Sequence, residues 1–136
     1  MTTTTPEAAT TKLLILREAQ IEMQPGECYA GLVLSADGLA SHHLILLPGA
    51  AVDVSWPDAQ AWAQKAGGDL PTRQEQALLY ANLKHEFEPR WYWSSQTHDR
   101  DSSSAWYQSF DYGGQIYNDK SFQARARAVR LIQLTT

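Results

Sequence analysis

The sequence predicts an α+β domain in which two helices pack on small antiparallel sheets with long irregular loops between them. Three observations predict it. Residues 12–47 carry short apolar runs broken by Pro-Gly and Asp-Gly turns. Residues 55–89 carry two segments with helix caps and apolar residues at helical spacing. From Trp91 onward the apolar pattern shortens to a period of two. Strands, then helices, then strands is an α+β order. A chain of 136 residues and 15.2 kDa suffices for one core and is short for two.

Residues 1–11 hold Thr, Ala, Pro and Glu with little to bury, and are expected to form a flexible tail ahead of a single domain over 12–136. Leu13-Leu14-Ile15-Leu16 reads as a short strand, and Pro25-Gly26 as a turn. Residues 28–34 and 43–47 flank Ala36-Asp37-Gly38, which reads as a hairpin turn with Gly at the positive-φ position. Pro48-Gly49 closes that unit.

Ser55-Trp56-Pro57-Asp58 is a helix start: a Ser N-cap, Pro in the first turn and an acid at the third position. Trp56, Ala59, Trp62, Ala63 and Ala66 recur at helical spacing and should face inward, and Gly67-Gly68 stops the helix. Thr72-Arg73-Gln74-Glu75 is a capping box for a second helix. Leu79, Leu83 and Phe87 line one stripe of it, and Pro89 ends it.

Four short strands follow, at residues 91–95, 105–110, 115–117 and 126–132. In the second, Trp106, Gln108 and Phe110 share one face, while Tyr107 and Ser109 share the other. Residues 96–104 and 111–114 are polar loops.

Composition removes several function classes. Charged residues make up 19% and apolar residues 43%, a globular balance. No run approaches the ~18 apolar residues of a membrane span, so membrane insertion is not expected. The start has neither the basic nor the apolar part of a secretory signal, so cytoplasmic synthesis is expected. Net charge is −4, and residues 91–136 hold 5 Lys+Arg against 4 Asp+Glu. No basic patch can neutralise many phosphates, which argues against nucleic acid. No nucleotide-cradling glycine loop and no Gly-x-Ser-x-Gly elbow occurs, and no cofactor is expected.

The candidate ligating and reacting groups are few. Cys28 stands alone, cannot form an internal disulfide, and reads as a structural thiol on a strand. His42 and His43 are strand neighbours and point to opposite faces. His85, beside Glu86, reads as solvated. Asp99-x-Asp101-x-Ser103 opens like a calcium loop, but its sixth position is Ser104 and its twelfth Phe110, so a self-capping polar loop is the better reading. Arg125 and Arg127 read as a solvated strand face.

The aromatics are concentrated. Nine of 14 fall between Trp91 and Phe122, where an even spread would put about three. Trp93, Trp106 and Phe110 read as core. Tyr92, Tyr107, Tyr112 and Tyr117 adjoin polar or turn residues and read as rings shown to a partner.

Three blocks resemble a known family. Residues 54–63 (Val-Ser-Trp-Pro-Asp-Ala-Gln-Ala-Trp-Ala) and 66–75 (Ala-Gly-Gly-Asp-Leu-Pro-Thr-Arg-Gln-Glu) resemble the helix–loop–helix of the formylglycine-generating-enzyme-like branch of the C-type lectin fold. Tyr92-Trp93-Ser94-Ser95, Ala105-Trp106-Tyr107 and Ala128-Val129-Arg130 resemble the later part of short lectin-like domains of bacteria and phages, including those that end collagen-like adhesins. The resemblance covers residues 52–132 and implies a C-type-lectin-like fold. The enzymes of that branch use paired cysteines near the C-terminus, and here the one cysteine is early. The sugar-binding branch holds calcium with Glu-Pro-Asn and Trp-Asn-Asp; here Glu88-Pro89 precedes Arg90, and no Trp-Asn-Asp occurs. The remaining branch displays a variable aromatic surface, and Tyr107, Tyr112, Tyr117 and Asn118 stand in the corresponding stretch. The resemblance also places Arg130 where the family has an Arg that a carboxylate can hold.

Together these readings predict a non-catalytic domain of phage or prophage origin, metal-free, that binds a protein or a cell-surface glycan through residues 91–122. Tyr92, Tyr107, Tyr112 and Tyr117 supply contact area, and Gln96, His98, Arg100, Asp101, Asn118 and Lys120 supply polar contacts. Self-association, or attachment to a tail or fibre and so to a virion, would add avidity. The alternative is a structural or assembly component of a tail or fibre with no recognition surface.

Overall fold

The computed structural model describes residues 10, 11, 13–16 and 18–134. The tail expected over residues 1–11 thus lies outside the described residues, apart from Thr10 and Thr11. The elements run β1 (Cys28–Leu34), β2 (Ala40–Leu46), β3 (Ala51–Val54), α1 (Trp56–Lys65), α2 (Arg73–Leu83), a 3-10 turn (Lys84–Glu86), β4 (Trp91–Thr97), β5 (Ser104–Ser109), β6 (Gln115–Asp119), β7 (Ala124–Ala126) and β8 (Val129–Gln133). They form a three-stranded sheet, β1-β2-β8, and a five-stranded sheet, β3-β7-β4-β5-β6. The architecture is α+β, with two helices on two small sheets.

Most of the expected elements form for the reasons that predict them. Asp37 and Gly38 turn the β1–β2 hairpin, with Gly38 at φ 82°. α2 begins with a complete capping box: Glu75 N–H donates to Thr72 Oγ1 at 3.1 Å, and Thr72 N–H donates to Glu75 Oε1 at 2.9 Å. α1 starts at Ser55, but the Ser55 side chain makes no cap bond. Trp56 N–H donates instead to the Lys120 carbonyl at 2.9 Å. Gly67, at φ 93°, ends the helix, and Gly68 N–H returns to the Ala63 carbonyl.

Two apolar clusters hold the elements together. In the first, α1 lays Ala59 and Ala63 on the large sheet against Trp93, Tyr107, Ala124 and Ala126. Alanines on both sides let the backbones approach, and the rings fill what is left. In the second, α2 lies between the sheets and joins Leu79 and Leu83 to Leu44, Leu46, Tyr92 and Phe110. Phe87 stacks on Phe110 at 3.8 Å between centroids.

Three expectations need correction, and one element is new. Leu13, Leu14, Ile15 and Leu16 form no strand and stand exposed; among the described residues none of the eight strands pairs with them. β3, over residues assigned no element from the sequence, is a strand paired with β7 and bulged at Asp53, whose φ is 54°. The second helix stops at Leu83 and tightens into the 3-10 turn, so Phe87 reaches the core from an extended residue. Arg127 is buried, not solvated. The chain leaves the large sheet after Ala126 and enters the small one at Val129, which breaks the period-two alternation at Arg127. Its guanidinium donates to the carbonyls of Leu47 (2.9 Å) and Glu86 (2.5 Å), and burial lowers its pKa.

Arg130 is held by a carboxylate. Its Nε and Nη2 donate to the two oxygens of Glu27 at 2.9 and 2.8 Å, and Nη2 also donates to the Glu22 carbonyl at 3.0 Å.

Two predictions follow from this packing. A Cβ on Gly68 would lie 2.2 Å from the Val129 carbonyl oxygen and 2.9 Å from Leu47 Cδ1. Gly68→Ala should therefore lower stability by about 1–3 kcal/mol in urea titration. The hydrogen bonds from Arg130, foremost, hold the Glu27 carboxyl below its usual range. Their stabilisation is complete above the ordinary carboxylate pKa and is lost as pH falls through the lowered value. Glu27→Gln should flatten the acid limb of the stability–pH curve and leave its shape above pH ~6 unchanged.

Candidate functional site

The β5–β6 hairpin sorts the aromatic segment onto two faces. Cross-strand partners are Ala105 with Asn118, Trp106 with Tyr117, Tyr107 with Ile116 and Gln108 with Gln115. Tyr107 and Asn118 share the face that α1 covers. Trp106, Tyr117, Gln108 and Gln115 share the other, which α2 covers as far as Gln108. α2 begins at Arg73, so Trp106 and Tyr117 lie beyond its end.

That uncovered part carries a ring cluster. The Arg73 guanidinium lies 3.6 Å from the centroid of the Trp106 ring. His98 packs on Trp106 at 5.3 Å and on Tyr117 at 4.0 Å, and Tyr117 meets Trp106 edge-on at 5.4 Å. Tyr117 remains 45% exposed.

An open polar groove of about 680 Å³ adjoins the cluster, lined by Thr72, Arg73 and Gln74 of the α2 start, Gln96 of β4, and Gln108 and Gln115 of the hairpin. Its amides are chained through Arg73. The Arg73 N–H donates to Gln96 Oε1 at 2.8 Å, and Arg73 Nε donates to Gln115 Oε1 at 2.9 Å. Gln115 Nε2 donates to the Arg73 carbonyl at 2.7 Å and to Gln108 Oε1 at 2.8 Å. Each bond fixes which end of the next amide is oxygen.

The expected contact residues separate in the structure. Gln96, His98 and Tyr117 come together at the groove and ring cluster. Tyr112 is 83% exposed at the turn next to Gly113, at the far end of the groove. Arg100 and Asp101 stand exposed in the β4–β5 loop. The Asp101 carboxylate accepts from Ser103 N–H, Ser103 Oγ and Ser104 Oγ, and these bonds lower its pKa. The self-capping reading thus describes this loop. Asn118 and Lys120 lie toward α1, with Lys120 Nζ 4.7 Å from the Trp56 ring centroid and bonded to the Ser102 carbonyl.

Two tyrosines are corrections. Tyr92 and Tyr107 are buried, at 2% and 7% exposure, and show no ring to solvent. Tyr92 sits under α2 against Phe87 and Phe110, and its hydroxyl accepts from Glu88 N–H at 3.0 Å. Tyr107 stacks between Trp91 and Trp93, and its hydroxyl accepts from Asn118 Nδ2 at 3.1 Å. A buried tyrosine needs only one partner for its hydroxyl, and flanking polar residues do not distinguish that state from exposure. Trp106, expected in the core, is instead half-buried, with Arg73 over it.

Sequence reasoning passed over Arg73, Gln108 and Gln115 as contact residues. Part of the signal is present: period two puts Gln108 on the face of Trp106 and Gln115 on the face of Tyr117, but the register that sets these pairs opposite one another centres on residues 111 and 112, not on the 111–114 loop read from the sequence.

Elsewhere, His42 Nε2 pairs with Glu75 Oε2 at 2.7 Å, while His43 bonds the Tyr29 hydroxyl at 2.8 Å, so the neighbours do face apart. His85 is exposed beside Glu86. Cys28 is half-buried, and burial, with Glu86 nearby, raises its thiol pKa. Among the described residues no three His, Cys, Asp or Glu side chains converge to hold a metal ion. No described helix is long and apolar enough to cross a membrane. No family model matches the chain, and comparison with curated proteins gives no match.

Gln115 holds both Arg73 and Gln108. Gln115→Leu should therefore cost about 1–3 kcal/mol of stability while the fold survives. It should also broaden the Arg73 Nε resonance in NMR spectra, as the guanidinium loses its tether over Trp106.

Proposed function

We propose that this chain is a non-catalytic, lectin-like ligand-binding domain whose recognition surface is the uncovered face bearing Arg73, His98, Trp106 and Tyr117. One observation carries the reading: four planar groups in a connected cluster, Trp106 and Tyr117 on paired strands with His98 packed on both and Arg73 over Trp106, beside an open groove. Rings held this way offer contact area at little entropic cost. The ligand is a protein or a cell-surface glycan. In the same reading the domain comes from a phage or prophage and works attached to a tail or fibre, where repetition strengthens a weak single contact.

A second observation favours assembly instead. Leu13, Leu14, Ile15 and Leu16 stand 50–78% exposed in succession, as in a segment that seats against a neighbouring subunit.

Binding of the purified chain to immobilised host-envelope preparations separates the two readings. Tyr117→Ala should weaken binding roughly tenfold or more at unchanged stability. No envelope binding by wild type, with self-association in sedimentation that is lost in Leu14→Ser/Ile15→Ser, would favour assembly. Tyr107→Ala is no probe of binding, because emptying that buried position should cost about 3–5 kcal/mol of stability.

A further inference from the structure

The groove beside the ring cluster has a one-sided hydrogen-bonding character. Gln96, Gln108 and Gln115 have their oxygens committed, directly or in sequence, to the main chain and side chain of Arg73. Among the described residues, Gln96 Nε2, Gln108 Nε2 and Arg73 Nη1 and Nη2 have no protein partner. All four are donors. His98 adds a fifth next to the groove: its Nδ1 accepts from Arg100 N–H at 3.2 Å, which leaves the proton on Nε2. The available acceptors are Gln74 Oε1, whose amide nitrogen donates to the Leu34 carbonyl, and the Tyr117 hydroxyl.

The charge is one-sided as well. Arg73 is the only charged residue lining the groove, and it forms no ion pair among the described residues. The nearest acid in sequence, Glu75, is turned away and spent on Thr72 and His42. Asp101, near His98, has its oxygens on Ser103 and Ser104. The guanidinium is also preset in orientation, stacked on Trp106 and tethered through Nε to Gln115. A planar fork with a fixed plane and two free nitrogens matches a carboxylate in bidentate geometry.

We propose that this groove binds a carboxylate-bearing sugar of an acidic polysaccharide, with the carboxylate on Arg73 Nη1 and Nη2 and flanking ring and hydroxyl oxygens on the exposed Gln96 amide, while Gln108, 1% exposed, holds Gln115 from beneath. The inference rests on the reading of this face as a recognition surface. A glycan suits the groove better than an acidic peptide does. Ala77 and Gly113 are the only apolar residues lining it, and its free groups, the Gln96 amide nitrogen and the Arg73 fork, are donors that match sugar oxygens and a carboxylate together.

The test is calorimetric titration of the full chain with polygalacturonate, its methyl-esterified form, dextran, dextran sulfate and poly-glutamate. Wild type should bind polygalacturonate at least about tenfold more tightly than any of the other four. Arg73→Gln, and also Arg73→Lys, which keeps the charge but loses the fork, should each reduce that affinity about tenfold or more. Thermal unfolding of each variant should stay within about 5 °C of wild type, the shift of a ~1 kcal/mol change. Should either substitution destabilise the fold, Gln96→Glu supplies the second probe: this position is exposed, a Glu still accepts from Arg73 N–H, and a second carboxylate beside the fork should weaken polygalacturonate binding about tenfold or more.

Equal binding of the esterified polymer or dextran, tighter binding of dextran sulfate or poly-glutamate, no binding of polygalacturonate, or wild-type affinity in Arg73→Gln would each overturn the inference. The wider reading fails separately. If envelope binding is lost in Tyr117→Ala but kept in Arg73→Gln, the face recognises something other than a carboxylate. If Tyr117→Ala keeps it, the face is not the recognition surface.

Discussion

The carboxylate of Glu75 is the joint on which the arrangement turns. It is 3% exposed and has both oxygens engaged, one on the amide that opens α2 and the other on His42 of β2. A helix start is thereby fastened to the small sheet. The same helix reaches the large sheet through Gln76, whose amide donates to the Tyr92 carbonyl at 2.9 Å. Burying a carboxylate is unfavourable unless its lone pairs are satisfied, and here the capping bond and the histidine satisfy them together. The position of the α2 start then decides where Arg73 lies, and with it how far the large sheet is covered.

The uncovered face inherits its order from that start. Arg73 is the first residue of α2, and its backbone and side chain together orient Gln96 and Gln115, which in turn holds Gln108. Long polar side chains on a surface ordinarily lose considerable rotamer freedom when a partner arrives. Here much of that loss is met on folding, by bonds within the chain. On the opposite face of the same strands, the Trp91–Tyr107–Trp93 stack gives α1 a flat floor. One hairpin thus forms core on one side and an uncovered ring cluster on the other.

Local chemistry was legible in the sequence, and tertiary coverage was not. The capping box at Thr72 and Glu75, the turn at Gly38 and the stop at Gly67 depend on neighbours within a few residues, and each forms as read. Period-two parity correctly grouped Trp106 with Gln108 and Tyr107 with Ser109. It could not say which group would be covered, because that depends on where α2 ends over the sheet. Tyr92 and Tyr107 were assigned to the surface, and Trp106 to the core, for this reason. Arg127 was misread because alternation presumes a continuous strand, and the chain changes sheets there. Leu13 to Leu16 have strand-forming composition, yet a strand exists only where another offers its amides.

The tight turn joining β5 and β6 bears on how such a surface can diversify in descent. Gly113 adopts φ 85°, and a methyl group there would come within 2.8 Å of the Tyr80 ring, so the tip tolerates neither a bulkier residue nor a new path. One inserted or deleted residue between the two strands would shift the frame of β6 and exchange Tyr117 with Ile116 across the hairpin. Indels at that apex would dismantle the Trp106–Tyr117 ring pair in a single step, whereas point replacements along the strands would alter it gradually.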